Sequence, residues 1–132
     1  MVNIVVYLFT IVIMSMFVNI ALALYGILAR PSLIKKIIAL TILGDSANTL
    51  AIIVGYRFAE PYPSPPVLTK LPPSKSDIQN FVSVAVDPLP QALVLTAIVI
   101  GLAVTLFLVF LTIQVYRLYG TTDVRKIAKL RG

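Results

Sequence analysis

Asp87-Pro88-Leu89-Pro90-Gln91 opens into Ala92-Leu93-Val94-Leu95-Thr96-Ala97-Ile98-Val99-Ile100-Gly101-Leu102-Ala103-Val104-Thr105, and an apolar run continues from there to Val115. No residue between Gln91 and Gln114 carries a charge. At about 1.5 Å per residue, about twenty-five residues cross a hydrocarbon core of about 30 Å with room for tilt. The stretch therefore reads as a membrane-spanning helix over about residues 91–118. Pro88 and Pro90 at its start do no harm, because the first N–H groups of a helix have no intrahelical partner. Ala97, Gly101 and Thr105 follow at a spacing of four, with Thr112 on the same side. That is a small-residue face, which reads as a packing seam.

The rest of the chain agrees with a membrane setting. Of its 132 residues 59% are hydrophobic and 12% charged, more apolar side chain than a soluble domain of this size can hide. There is no cysteine and no histidine, which removes thiol redox chemistry, iron–sulfur and histidine-haem ligation and the usual zinc sites. The net charge of +6 could suggest nucleic acid, but the basic residues flank apolar segments. Positive-inside topology accounts for them better.

The first helix is expected over about residues 2–29, which hold no charged side chain. Ala21-Leu22-Ala23 resembles a signal-peptidase site. No Lys or Arg precedes the run, however, and it is too long for a signal core, so a retained helix is expected. Ser15, Asn19, Ala23 and Gly26 share one face, a stripe suited to packing against another helix. Arg30-Pro31-Ser32 ends this helix, and with Lys35 and Lys36 it marks a cytoplasmic connection.

The second helix is expected over about 32–54. It carries Asp45, the one ionisable residue well inside an apolar segment, on a face with Thr41, Asn48 and Ile52, and with Gly44 beside it. A carboxyl at that depth is expensive and should face protein or water. It is either ionised beside a cation or basic neighbour, or protonated and hydrogen-bonded. The functional reading is a station on a proton or sodium path; the other is a helix–helix hydrogen-bond anchor. Residues 55–90 hold eight of the nine prolines and, with Arg57, Lys70 and Lys75 against Glu60, Asp77 and Asp87, no net charge. They read as an external loop, extended where proline is dense. Val67, Leu68, Ile78, Phe81 and Val82 give it apolar handles, so it is expected to lie across a partner. The tail, 119–132, is basic and expected to be cytoplasmic, with a weaker suggestion of anionic-lipid binding.

The expected fold is a single all-α integral membrane domain, residues 1–132, of three transmembrane helices. Its N-terminus lies outside, its C-terminus in the cytoplasm, and a long Pro-rich external loop joins helices two and three. Asn19, Asp45 and Thr105 each lie nine to twelve residues from a cytoplasmic basic residue, about half a bilayer core. They are expected near mid-membrane, approaching one another or a polar channel shared with neighbouring subunits.

Asp87-Pro88-Leu89-Pro90-Gln91-Ala92-Leu93-Val94-Leu95-Thr96-Ala97-Ile98-Val99-Ile100 closely resembles a helix start in the small C subunit of Mrp-type multisubunit sodium/proton antiporters, the counterpart of the K subunit of complex I. Arg30-Pro31-Ser32-Leu33-Ile34-Lys35-Lys36-Ile37-Ile38-Ala39-Leu40 resembles the start of the family's second helix, and Leu130-Arg131-Gly132 resembles its ending. The long proline loop fits the Mrp branch better than complex I. The two membrane glutamates of complex I's K subunit fall here at Thr41 and Ala97, so that relay is not carried over. Asp45, one turn after Thr41, stands where the family tends to have Asn or His. Gly101-Leu102 departs from the Ser-Phe pair common in the antiporter branch.

The resemblance implies a multi-pass cell-membrane subunit of a larger arm that moves Na+ and H+. The host would be a freestanding antiporter or a redox-driven complex such as a membrane-bound nickel–iron hydrogenase or a sulfur-reducing complex. It implies other membrane subunits as partners, no cofactor and no catalytic or metal-ligating residue in this chain. The ion-path residues would be Asp45, Thr41, Asn48, Asn19 and Thr105, and the structural motif residues Asp87, Pro88, Pro90, Gln91 and Gly101. The alternative is a purely structural subunit that braces a redox complex. A self-standing enzyme lacks any nucleophile–base pair or phosphate loop in this sequence. A homo-oligomeric channel would have one acidic residue per chain to line its pore.

Overall fold

A long apolar run in hydrocarbon satisfies its own backbone hydrogen bonds by forming a helix. In the computed structural model, which describes residues 2–58 and 63–129, such runs give α1 (Val2–Ala29), α2 (Leu33–Val54) and α4 (Pro88–Tyr119). All three are long and apolar enough to cross a membrane, with mean hydropathies of 2.4, 1.9 and 2.9 over their most apolar 18 residues. Two shorter helices complete the set, α3 (Lys75–Val84) and α5 (Val124–Ile127). No strand longer than an isolated bridge occurs among the described residues. Pro61 and the Leu130-Arg131-Gly132 ending lie outside those residues.

The chain divides into two units, Met1–Leu50 with Ala97–Gly132, and Ala51–Thr96. In the first, α1 and α2 pack closely where side chains are small. Ala23 and Ala39 are buried, and a Cβ added at Gly26 would stand 2.8 Å from the Ala39 Cβ. The C-terminal end of α1 leaves orphan carbonyls with a partial negative charge. The Lys36 ammonium donates to the Ile27 carbonyl, and the Arg30 guanidinium sits 5.6 Å from the Tyr25 ring centre. Gly120, at φ +67, closes α4 in the left-handed conformation that glycine adopts without strain, and its N–H donates to the Tyr116 carbonyl. The chain then pairs with the α1–α2 turn: Leu33 N–H donates to Thr122 O at 3.0 Å and Val124 N–H to Pro31 O at 2.9 Å.

In the second unit, α3 forms inside the stretch 55–90 that the sequence reads as loop. It begins after the proline-dense part. Ser74 is its N-cap and forms a capping box with Asp77, in which each side chain serves the other's backbone N–H. The Ser74 hydroxyl and then its backbone N–H hold the Asp77 carboxyl below the usual carboxylate range. At the other end, the Arg57 guanidinium donates to Val82 O at 2.7 Å. A two-bond bridge joins Ser64 to Val84 and Val86. Asp87 N–H donates to Gly55 O at 3.3 Å, and the Gly55 Cα faces the Pro90 ring, where a Cβ would meet Cγ at 2.6 Å.

Candidate functional site

Polar side chains on the spanning helices are the features to explain, because each costs free energy in hydrocarbon unless satisfied. Most hydroxyls are satisfied locally by the carbonyl one turn back. Thr41 donates to Ile37 O at 3.0 Å, Ser46 to Ile42 O at 2.8 Å, Thr49 to Asp45 O at 2.8 Å and Thr112 to Leu108 O at 2.8 Å. Ser46 is the buried polar residue of α2, and periodicity alone does not separate it from its neighbours.

Thr41 and Thr105 do come together. They line one open groove of 660 Å³ between α2 and α4, with Ile37, Val109, Thr112 and Tyr116. The Thr105 hydroxyl makes no hydrogen bond among the described residues and is half-buried there. Tyr116 and Thr112 were not among the expected ion-path residues, although both extend the groove toward the end where the basic residues cluster.

Asn19 lies elsewhere, along an open groove of 390 Å³ on α1 with Tyr7, Thr10 and Ser15. Ser15 and Asn19 therefore occupy an open part of the expected small-residue stripe, while Ala23 and Gly26 supply its packed part. Asp45 joins neither groove. Its side chain is exposed in the single chain and has no hydrogen bond or ion pair among the described residues. Asn48 is half-buried one turn on, and at Gly44 an added Cβ would meet nothing within 4 Å. The chain by itself thus unites Thr41 with Thr105, and leaves Asp45 and Asn19 on separate outward faces. Gly101 is likewise exposed, with nothing within 4 Å of an added Cβ.

Of the motif residues, Asp87 sets the start of α4 by accepting from Leu89 N–H at 2.9 Å. Pro88 and Pro90 stand in its first turn, where the sequence places them just ahead of the helix, and Gln91 follows on an exposed face.

Comparison with known proteins covers nearly the whole chain. The sequence profile of the NADH-ubiquinone/plastoquinone oxidoreductase chain 4L family matches residues 4–132. Over 107 residues the chain is 32% identical to Na(+)/H(+) antiporter subunit C1 of Staphylococcus aureus, in strains JH9 and Newman alike; the match spans 81% of this chain and 82% of that protein. It is also similar to a chain in the structure of the membrane-bound sulfane sulfur reductase, an archaeal respiratory membrane complex. That likeness has a TM-score of 0.69 and 34% identity, over 90% of this chain and 96% of the other.

Proposed function

The chain belongs to the NADH-ubiquinone/plastoquinone oxidoreductase chain 4L family, and from that membership we propose that it is a small membrane subunit of an Mrp-type cation/proton antiporter module. It contributes to assembly and to the Na+/H+ path, in a freestanding antiporter or in a redox-driven respiratory complex. The chain is a multi-pass membrane protein. In the proposed orientation the N-terminus and the stretch 55–90 are external, and the basic α1–α2 turn and tail are cytoplasmic.

The observation that carries an ion-path role is Asp45. A carboxyl in the middle of a spanning helix costs about 2.5–3.5 kcal/mol in lipid. Here it has no partner within the described residues and faces outward. A neighbouring subunit's polar surface, with or without a cation, supplies what the chain lacks. Thr41 precedes it by one turn on α2, and Thr105 faces Thr41 across the groove. Asp45→Asn keeps the shape and removes the ionisable group, so the assembly is expected to form in normal amount. Na+/H+ exchange in inverted vesicles is expected to drop to the level of vesicles lacking the chain. Normal exchange in an assembled Asp45→Asn variant would leave the chain as a structural brace. That second reading draws on the same exposed face, which a neighbouring helix could cover without any ion passing.

The relatives point to two kinds of host, an antiporter and a respiratory complex. Mild-detergent purification of the tagged chain separates them. Large antiporter-like subunits alone are the expected companions in the first case, and iron–sulfur or nickel–iron subunits accompany them in the second. A chain that purifies alone would overturn the subunit reading.

A further inference from the structure

α3 is a helix with two fixed ends and an uncovered apolar edge. Its N-terminus is held by the Ser74–Asp77 capping box and its C-terminus by Arg57 and the Ser64 bridge. Ile78 and Val82, one turn apart, remain 45% and 61% exposed, and Leu71 before the helix is 86% exposed. Asn80 and Ser83 lie on the other side by helical spacing. Lys75 shares the side of Val82, and Lys70 adjoins Leu71.

The position of this edge follows from how α3 is tied down. Three residues separate the end of α3 from Pro88, and the four Cα-to-Cα steps from Val84 to Pro88 reach at most about 14 Å. The Asp87–Gly55 hydrogen bond sets the end of α2 beside the start of α4, so two spanning helices terminate at one level. A headgroup layer is about 5–8 Å deep on each side of the core. An apolar edge whose C-terminal end is tethered this close to that level can reach the lipid surface, and lysine stems can lie along it with their ammonium groups toward phosphate.

We propose that Ile78, Val82 and Leu71 rest in the headgroup layer of the bilayer, with Lys70 and Lys75 at lipid phosphates, so that α3 is an interfacial anchor between the second and third spanning helices. The occupant of the apolar edge is the lipid surface. This rests on the membrane crossing of α2 and α4 and is independent of any role for Asp45.

Photo-crosslinking in the intact assembly tests it. p-Benzoylphenylalanine is placed at Val82, at Leu71 or at the polar-side Ser83, and whole cells are irradiated before solubilisation. The expected result is a phospholipid mass on the Val82 and Leu71 peptides, several-fold above the Ser83 peptide. Adducts to another protein subunit at Val82 and Leu71 would overturn the proposal and make the edge a subunit contact. Adducts no more abundant than at Ser83 would also overturn it and place the edge in water. Leu71 lies outside the helix, so its result stands even where a bulky side chain at Val82 disturbs α3.

Discussion

At Gly26 the close approach of α1 to Ala39 of α2 depends on one missing methyl. An added Cβ would sit 2.8 Å from the Ala39 Cβ, well inside the 3.5–4.0 Å of ordinary carbon contact. Membrane helices associate mainly through such close packing, since lipid is as apolar as the side chains themselves. Gly26→Val should therefore force the helices apart and lower stability by about 1–3 kcal/mol, the usual range for overpacking. Leu28→Val, at a residue 81% exposed in the chain, is the control and should be close to neutral. Thermal denaturation of the purified assembly reads both. Gly26 was legible in the sequence as part of a small-residue stripe. The stripe did not say where packing stops. Gly26 meets α2 and Ala23 is buried, whereas Ser15 and Asn19, by the same periodicity, line an open groove. Asp45 shows the same limit. Its depth and rarity stand out from the sequence, yet periodicity gives a face and not what that face meets.

At the scale of elements, the three long helices were legible because hydropathy is a strong signal over twenty residues. α3 was not, because the prolines before it set the reading for the whole stretch. The signal that finds it is local: Ser74-Lys75-Ser76-Asp77 has the spacing of a capping box ahead of Ile78, Phe81 and Val82. Ser74→Ala should cost about 1 kcal/mol, speeding amide exchange across α3 by about fivefold while α4 is unaffected. The same cap gives α3 an acid limit. Asp77 has a lower pKa folded than unfolded, because Ser74 hydrogen-bonds its charged form. Its contribution is therefore complete above the unfolded carboxylate range and is lost as pH falls through the folded value. Amide exchange in α3 should accelerate at low pH beyond the intrinsic trend, and Ser74→Ala should abolish most of that excess.

The molecule as a whole keeps very little for itself. None of the most apolar window of α1 is buried within the chain, and only 11% and 6% of those of α2 and α4. Such surfaces belong against lipid and other helices, which agrees with a family whose relatives here come from multisubunit assemblies. Charge then decides which way the chain sits. Arg30, Lys35 and Lys36 precede or open α2, and the segment from Arg117 onward carries five basic residues against Asp123. Residues 55–90 balance three basic against three acidic side chains. Lys and Arg excess in short loops marks the cytoplasmic side, and it is on this rule that the proposed orientation puts the balanced stretch outside. The absence of cysteine makes this directly measurable, since any introduced thiol is the chain's only one. Ser76→Cys, exposed in the first turn of α3, should react with a membrane-impermeant maleimide on intact cells. Arg125→Cys, exposed in α5, should react only after permeabilisation. The reverse pattern would invert the chain and set the basic turn and the segment from Arg117 onward outside, leaving their eight positive side chains unexplained by topology. Labelling of both sites on intact cells would break the three-span arrangement itself, because an odd number of crossings between them is what separates the two thiols.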